Sequence, residues 1–171
     1  MLNKLRNKIM DKVIEDNLDY LVRFAFFRLG DREEAEDLVH DAILKFLDLN
    51  TKDIRVAGLR LYLFRIVYNL CQDSLRSRTK RALSLECLEI PDRTEDQILD
   101  SEEAERLNAI LDSIPEREAE VIRMNIIDEL SFVEISHILS IPCSTAKSRF
   151  KSGIDKIRKQ YFFKNNSHGR L

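Results

Sequence analysis

Three observations predict an all-α protein made of two small helical domains joined by an acidic linker, the second containing a helix-turn-helix. The 171 residues include only 4 Gly and 3 Pro, and 34% of them are charged. Apolar residues recur at i, i+3 and i+4 through most of the chain, and no alternating β-branched run interrupts them. Charge is near balance overall, 28 Lys and Arg against 30 Asp and Glu, yet along the chain it separates into basic, acidic and again basic blocks. The balance argues against coating nucleic acid by bulk charge, and leaves local charge free to bind it.

The first helix is predicted over residues 11–29, where Val13, Ile14, Leu18, Leu21, Val22, Ala25 and Phe26 share a face and Gly30 stops the period. Asp31 with Glu34 has capping-box spacing. Ala35, Leu38, Val39, Ala42, Ile43, Phe46 and Leu47 then form the most regular amphipathic helix of the chain. Its opposite face carries Glu33, Glu34, Glu36, Asp37 and Asp41 beside His40. Acids in the first turns complement the helix dipole, which accounts for the first four; Asp41 lies too far along for that reason.

The period lapses in DLNTKDIRVAG, predicting a loop from Asp48 to Gly58, and returns with Leu61, Phe64, Val67, Tyr68, Cys71 and Leu75. Arg60, Arg65, Arg76, Arg78, Lys80 and Arg81 surround that stripe against one acid, Asp73. Interleaved Tyr62, Phe64 and Tyr68 suit a single strand, whose bases stack on rings while cations follow phosphates; they equally suit a core, where Phe64 is expected. From Leu83 to Ser113 the sign reverses, and residues 84–95, with Pro91, read as a flexible acidic linker able to lie against the cationic faces. A helix is expected to resume near Asp96 and to carry Leu107, Ile110, Leu111 and Ile114 into the second domain.

Pro115 suits the first turn of the next helix, followed by Glu116, Glu118 and Glu120, with Ala119, Ile122, Met124, Ile126 and Ile127 on its apolar side. Leu130 to Lys159 then reads as two helices across a tight turn. Ser131 and Glu134 form a capping box, Phe132, Ile135, Ile138 and Leu139 the buried face, and Pro142 the stop. A helix opening near Ser144 buries Ala146, Phe150, Ile154, Ile157 and Tyr161. Away from that stripe lie Ser144, Thr145, Lys147, Ser148, Lys151 and Ser152, with Arg149 on its flank. This geometry fits a DNA major groove, and pattern alone fits an ordinary helical hairpin with a solvated basic face equally well. The tail NNSHGRL is too polar to order alone.

No P-loop, dinucleotide turn or defensible catalytic triad occurs, and three lone histidines make no metal site, so neither enzyme, cofactor, metal nor small-molecule substrate is expected. Cys71, Cys87 and Cys143 are odd in number and far apart, as in a reducing compartment. No apolar run exceeds Phe24 to Phe27, and MLNKLRNKIMDK lacks the apolar core of a signal peptide, so the expected setting is the cytoplasm.

Three blocks in this order, AEDLVHDAILKF (Ala35 to Phe46), YLFRIVYNLCQDSLR (Tyr62 to Arg76) and the stretch Ile114 to Phe150, resemble the bacterial extracytoplasmic-function sigma factors. The resemblance implies a region 2 domain over residues 1–82, an acidic linker over 83–106, a region 4 domain over 107–164 and a disordered tail over 165–171. It implies docking on core RNA polymerase through Asp37, His40 and Asp41, which supplies Asp41 with a reason. Arg60, Tyr62, Arg65, Asn69 and Arg76 would follow the melted minus-ten strand, with the loop Asn50 to Gly58 capturing a flipped base at a cost of a few kcal/mol. Ser144, Thr145, Lys147, Ser148, Arg149, Lys151 and Ser152 would face the minus-thirty-five duplex. Promoter DNA and an anti-sigma factor are the further implied partners, and the free protein is expected to be a monomer. The residues also admit a polymerase-independent helix-turn-helix operator-binding regulator, or a module that binds only proteins. The family usually has glycine where this chain has Glu129 and Ser140, and here Tyr62 and Tyr68 replace its usual tryptophan and arginine. If both turns keep φ > 0, each costs on the order of 1 kcal/mol.

Overall fold

The computed structural model describes residues 2–48, 55–84 and 101–167. Among them are seven α-helices and no strand: α1 (Leu2–Leu29), α2 (Arg32–Leu47), α3 (Val56–Ser84), α4 (Ser101–Leu111), α5 (Glu116–Ile122), α6 (Phe132–Leu139) and α7 (Cys143–Ser167). They fall into two compact units, Met1–Thr94 and Glu95–Leu171.

In the first unit α1, α2 and α3 pack pairwise around Leu21, Phe24, Val39, Phe46, Leu63, Phe64 and Val67, all of them fully covered. Phe24 and Phe64 meet edge to face, ring centroids 5.5 Å apart. Gly30 takes a positive φ of 75° and turns the chain out of α1 at no steric cost. Asp31 then caps α2 by accepting from the Glu34 N–H at 2.8 Å. The reciprocal half of the expected capping box is missing, because the Glu34 carboxylate is committed elsewhere: it accepts from the Ser74 hydroxyl of α3 at 2.6 Å and pairs with Arg78. Arg78 also donates to the Leu29 carbonyl at 2.9 Å, joining the end of α1 to α3.

The second unit is built on Leu111, Ile114, Ala119 and Ile122, against which Ile127, Phe150, Ile154 and Ile157 pack. Pro115 is the N-cap of α5, one place earlier than the first-turn position expected. A π turn, Arg123–Ile127, follows α5 and ends as Asp128 N–H reaches back to the Arg123 carbonyl at 3.1 Å. Ser131 and Glu134 make the full capping box at the start of α6. Ser140, in the left-handed region, ends α6; Pro142 instead opens α7, its carbonyl receiving the Thr145 and Ala146 N–H groups. The helix α7 runs on to Ser167.

Several apolar positions expected in the cores face outward: Leu18, Leu47, Leu107, Ile126 and Tyr161 are all more than a third exposed. The apolar period of these elements extends beyond the surface that neighbours cover, as it does at Leu5 and Leu44. The loop expected through Gly58 is shorter, since α3 already begins at Val56. Residues 49–54, Cys87 and the acidic stretch 85–100 lie outside the described residues, as does the expected cover of the cationic faces by that stretch.

The two turns expected to need a left-handed residue keep that backbone and are not reshaped. Glu129 has φ 51° and Ser140 φ 54°. Relief of left-handed strain outweighs the added freedom of glycine in the unfolded chain. Replacing Glu129→Gly or Ser140→Gly is expected to stabilise the second unit by about 0.5–1 kcal/mol each, read as a higher urea midpoint.

Candidate nucleic-acid interface

On α3, Tyr62, Arg65, Asn69 and Arg76 recur at intervals of three, four and seven residues and so share one helical stripe. Arg65, Asn69 and Arg76 are exposed, and Tyr62 is half-buried at the head of the stripe. The helix holds this stripe outward because Leu63, Phe64, Val67 and Cys71 occupy the other side and are covered. Among the described residues Arg76 has a 3.7 Å contact to exposed Asp73, a pairing that contributes little in water.

Arg60 is not part of that stripe. Its Nε donates to Asn17 Oδ1 of α1 at 2.9 Å, and its guanidinium lies 4.9 Å from the Phe64 ring centroid. Arg60, expected to follow DNA, joins α1 to α3 here, and two residues along a helix from Tyr62 places it on nearly the opposite side. The flipped-base loop falls mostly outside the described residues; its last part, Val56 to Gly58, belongs to α3.

On α7, Ser144, Lys147, Ser148 and Lys151 are exposed at helical intervals, with Thr145 and Arg149 half-buried beside them. Ala146 and Gly153 are buried on the other side. Ser152, expected on the DNA-facing set, turns toward α5 and donates to Glu118 Oε1 at 2.9 Å. Lys156, one turn further, donates to both oxygens of the same carboxylate at 2.7 and 2.8 Å. The hydrogen bond from Lys156 holds the Glu118 carboxyl below its ordinary value; burial opposes this, and the Ser152 hydroxyl and the charge of Lys156 add to it.

Asp37, His40 and Asp41 are exposed together on α2 at i, i+3 and i+4, and Leu44, half exposed, extends the row by a turn. A second charged cluster was not anticipated: Glu120 and Arg123 are both buried, joined at 2.5 Å, with Glu116 at 3.5 Å from the guanidinium. Their i, i+3 spacing was visible in the sequence, but nothing there distinguished a covered pair from a solvated one. Among the described residues no group of three His, Cys, Asp or Glu could hold a metal ion, and no helix is long and apolar enough to cross a membrane.

Comparison with known proteins gives two family matches, one per unit: sigma-70 region 2 over residues 13–81 and sigma-70 region 4 over residues 110–159. The chain is 26% identical over 162 residues to the ECF RNA polymerase sigma factor SigW of Bacillus subtilis, covering 86% of each chain. It is 28% identical over 163 residues to the ECF RNA polymerase sigma factor SigE of Mycolicibacterium smegmatis, covering 92% of this chain and 63% of that relative. Its fold is similar to that of CnrH, solved in complex with the cytosolic domain of CnrY, with a TM-score of 0.65 at 18% identity over 89% of this chain and 86% of that one. The sigma factor RpoE of Bartonella quintana, solved with the anti-sigma factor NepR, gives a TM-score of 0.64 at 21% identity over 85% of this chain and 93% of that one.

Because the Glu118 carboxyl is held below its ordinary value, the bridge contributes stability at neutral pH that is lost as pH falls through its lowered pKa. Thermal unfolding of wild type and Glu118→Gln is therefore expected to differ by a constant amount at neutral pH and to converge as pH falls below the ordinary carboxylate value of 4.5, the variant losing less on acidification.

Proposed function

The chain belongs to the sigma-70 family as an extracytoplasmic-function RNA polymerase sigma factor, and we propose that its two units divide promoter recognition between the exposed stripes of α3 and α7. The protein binds core RNA polymerase and directs initiation at promoters; its own contribution is binding, and phosphoryl chemistry belongs to the polymerase. One observation carries the division of labour: in each unit a basic helix shows solvent a row of cations and hydrogen-bonding groups while its other side is locked into a core.

On this reading α7 enters the major groove of the upstream element. Ser144, Lys147, Ser148 and Lys151 face it directly, and Thr145 and Arg149 flank them. An Arg or Lys pairing with guanine supplies about 1–3 kcal/mol of base discrimination, whereas a phosphate contact positions without specifying. On α3, Tyr62 offers a ring at the head of a row in which Arg65, Asn69 and Arg76 track the backbone of the separated strand. On α2, Asp37, His40 and Asp41 form the polymerase-docking row, with Leu44 as its apolar continuation. The structural neighbours were solved with an anti-sigma factor or a cytosolic partner domain, which supports a sequestering partner for this chain too. Cytoplasmic residence follows from work on the polymerase.

Two measurements test the assignment. Lys147→Ala and Lys151→Ala are expected to weaken promoter binding by the holoenzyme and lower its salt slope by roughly 1 each; an unchanged slope would remove them from the DNA face. Asp41→Arg is expected to reduce affinity for core polymerase at least about tenfold while leaving thermal stability within about 0.5 kcal/mol, since the side chain is exposed.

A further inference from the structure

Two contacts between α5 and α7 lie behind the DNA-facing stripe. The first is Gly153, buried where the helices meet: a Cβ there would come within 2.6 Å of Ile122 Cδ1, 3.2 Å of Glu118 Cβ and 3.3 Å of Ile114 Cδ1. So close an approach limits how far α7 stands from α5, while Ala146, Phe150, Ile154 and Ile157, packed inward, fix its rotation to within the play of apolar contacts. The second contact narrows that play. Glu118 accepts from Ser152 and Lys156, residues on either side of Gly153, so one carboxylate grips α7 at two points a turn apart. The first unit repeats the arrangement with different residues: Glu34 of α2 receives Ser74 and Arg78, again four residues apart, on α3.

We propose that Glu118 is a positioning residue for promoter reading, setting through Ser152 and Lys156 the rotation of α7 and so the aim of Lys147, Ser148 and Lys151, without touching DNA. The proposal rests on the sigma-factor reading above. Side-chain atoms lie roughly 6 Å from a helix axis, so a rotation of roughly 20° displaces them by about 2 Å. A base-edge hydrogen bond tolerates far less than that, while a flexible lysine can still reach a phosphate. Loss of the grip therefore lowers specific affinity and leaves non-specific affinity in place.

The test uses the reconstituted holoenzyme and genomic fragments enriched by the wild type, with a scrambled upstream element as the non-specific probe, at matched salt. Glu118→Gln, which keeps the side-chain shape, is expected to lower the ratio of specific to non-specific affinity by about tenfold, with non-specific affinity and salt slope unchanged. Lys156→Met breaks the same grip from the other side and is expected to lower the ratio similarly, whereas Lys156→Arg preserves it. A fall in melting temperature with an unchanged ratio in both disruptive variants would overturn the proposal, leaving Glu118 as a stabilising residue only. Failure of the wild type to enrich any fragment would overturn the sigma reading and this proposal with it.

Discussion

Behind each basic helix one glutamate receives a serine hydroxyl and, a turn further along, a basic side chain: Glu34 with Ser74 and Arg78, Glu118 with Ser152 and Lys156. The constraint is electrostatic as much as geometric. A helix rich in Lys and Arg repels itself, and its packed apolar side decides which face points outward. Pairing one cation backward against a partly covered carboxylate narrows the remaining play for its neighbours, because successive residues turn by a fixed angle. Salt weakens an exposed pair, and Glu118, with 14% of its side chain exposed, is screened less than Glu34 at 33%. The grip on α7 is accordingly the firmer of the two.

The helix-turn-helix accepts local cost to keep its shape. Glu129 and Ser140 hold left-handed backbone without glycine, and Gly153 gives up helix propensity to let α7 approach α5. The capping box of Ser131 and Glu134 and the edge-to-face contact of Phe132 with Phe150, 5.4 Å between centroids, work in the opposite direction. The buried Glu120 and Arg123 pair adds little net stability, since desolvation offsets most of its attraction, but losing one partner would leave a buried charge unpaired.

Helix type, the stop at Gly30, the capping box at Ser131 and the exposed rows on α2, α3 and α7 were legible in the sequence because each follows from a period or a short-range cap. The inward contacts of Arg60 and Ser152 went unforeseen for a shared reason. A basic or hydroxyl residue on a charged helix looks solvated until its long-range partner is known, and Asn17 and Glu118 lie 43 and 34 residues away. Glu34 shows the converse: local spacing predicted a capping partner, and the tertiary partners Ser74 and Arg78 won its carboxylate. Pro142 was read as a stop and acts as a start, since either role fits a proline between two helices.

The central claim is that this chain gives promoter specificity to a polymerase. Run-off transcription by core polymerase on genomic fragments, with and without the protein, tests it most directly. The account predicts transcripts from defined start sites that appear only when the protein is present. Absence of any protein-dependent transcript across the fragments, despite stable binding to core, would contradict it.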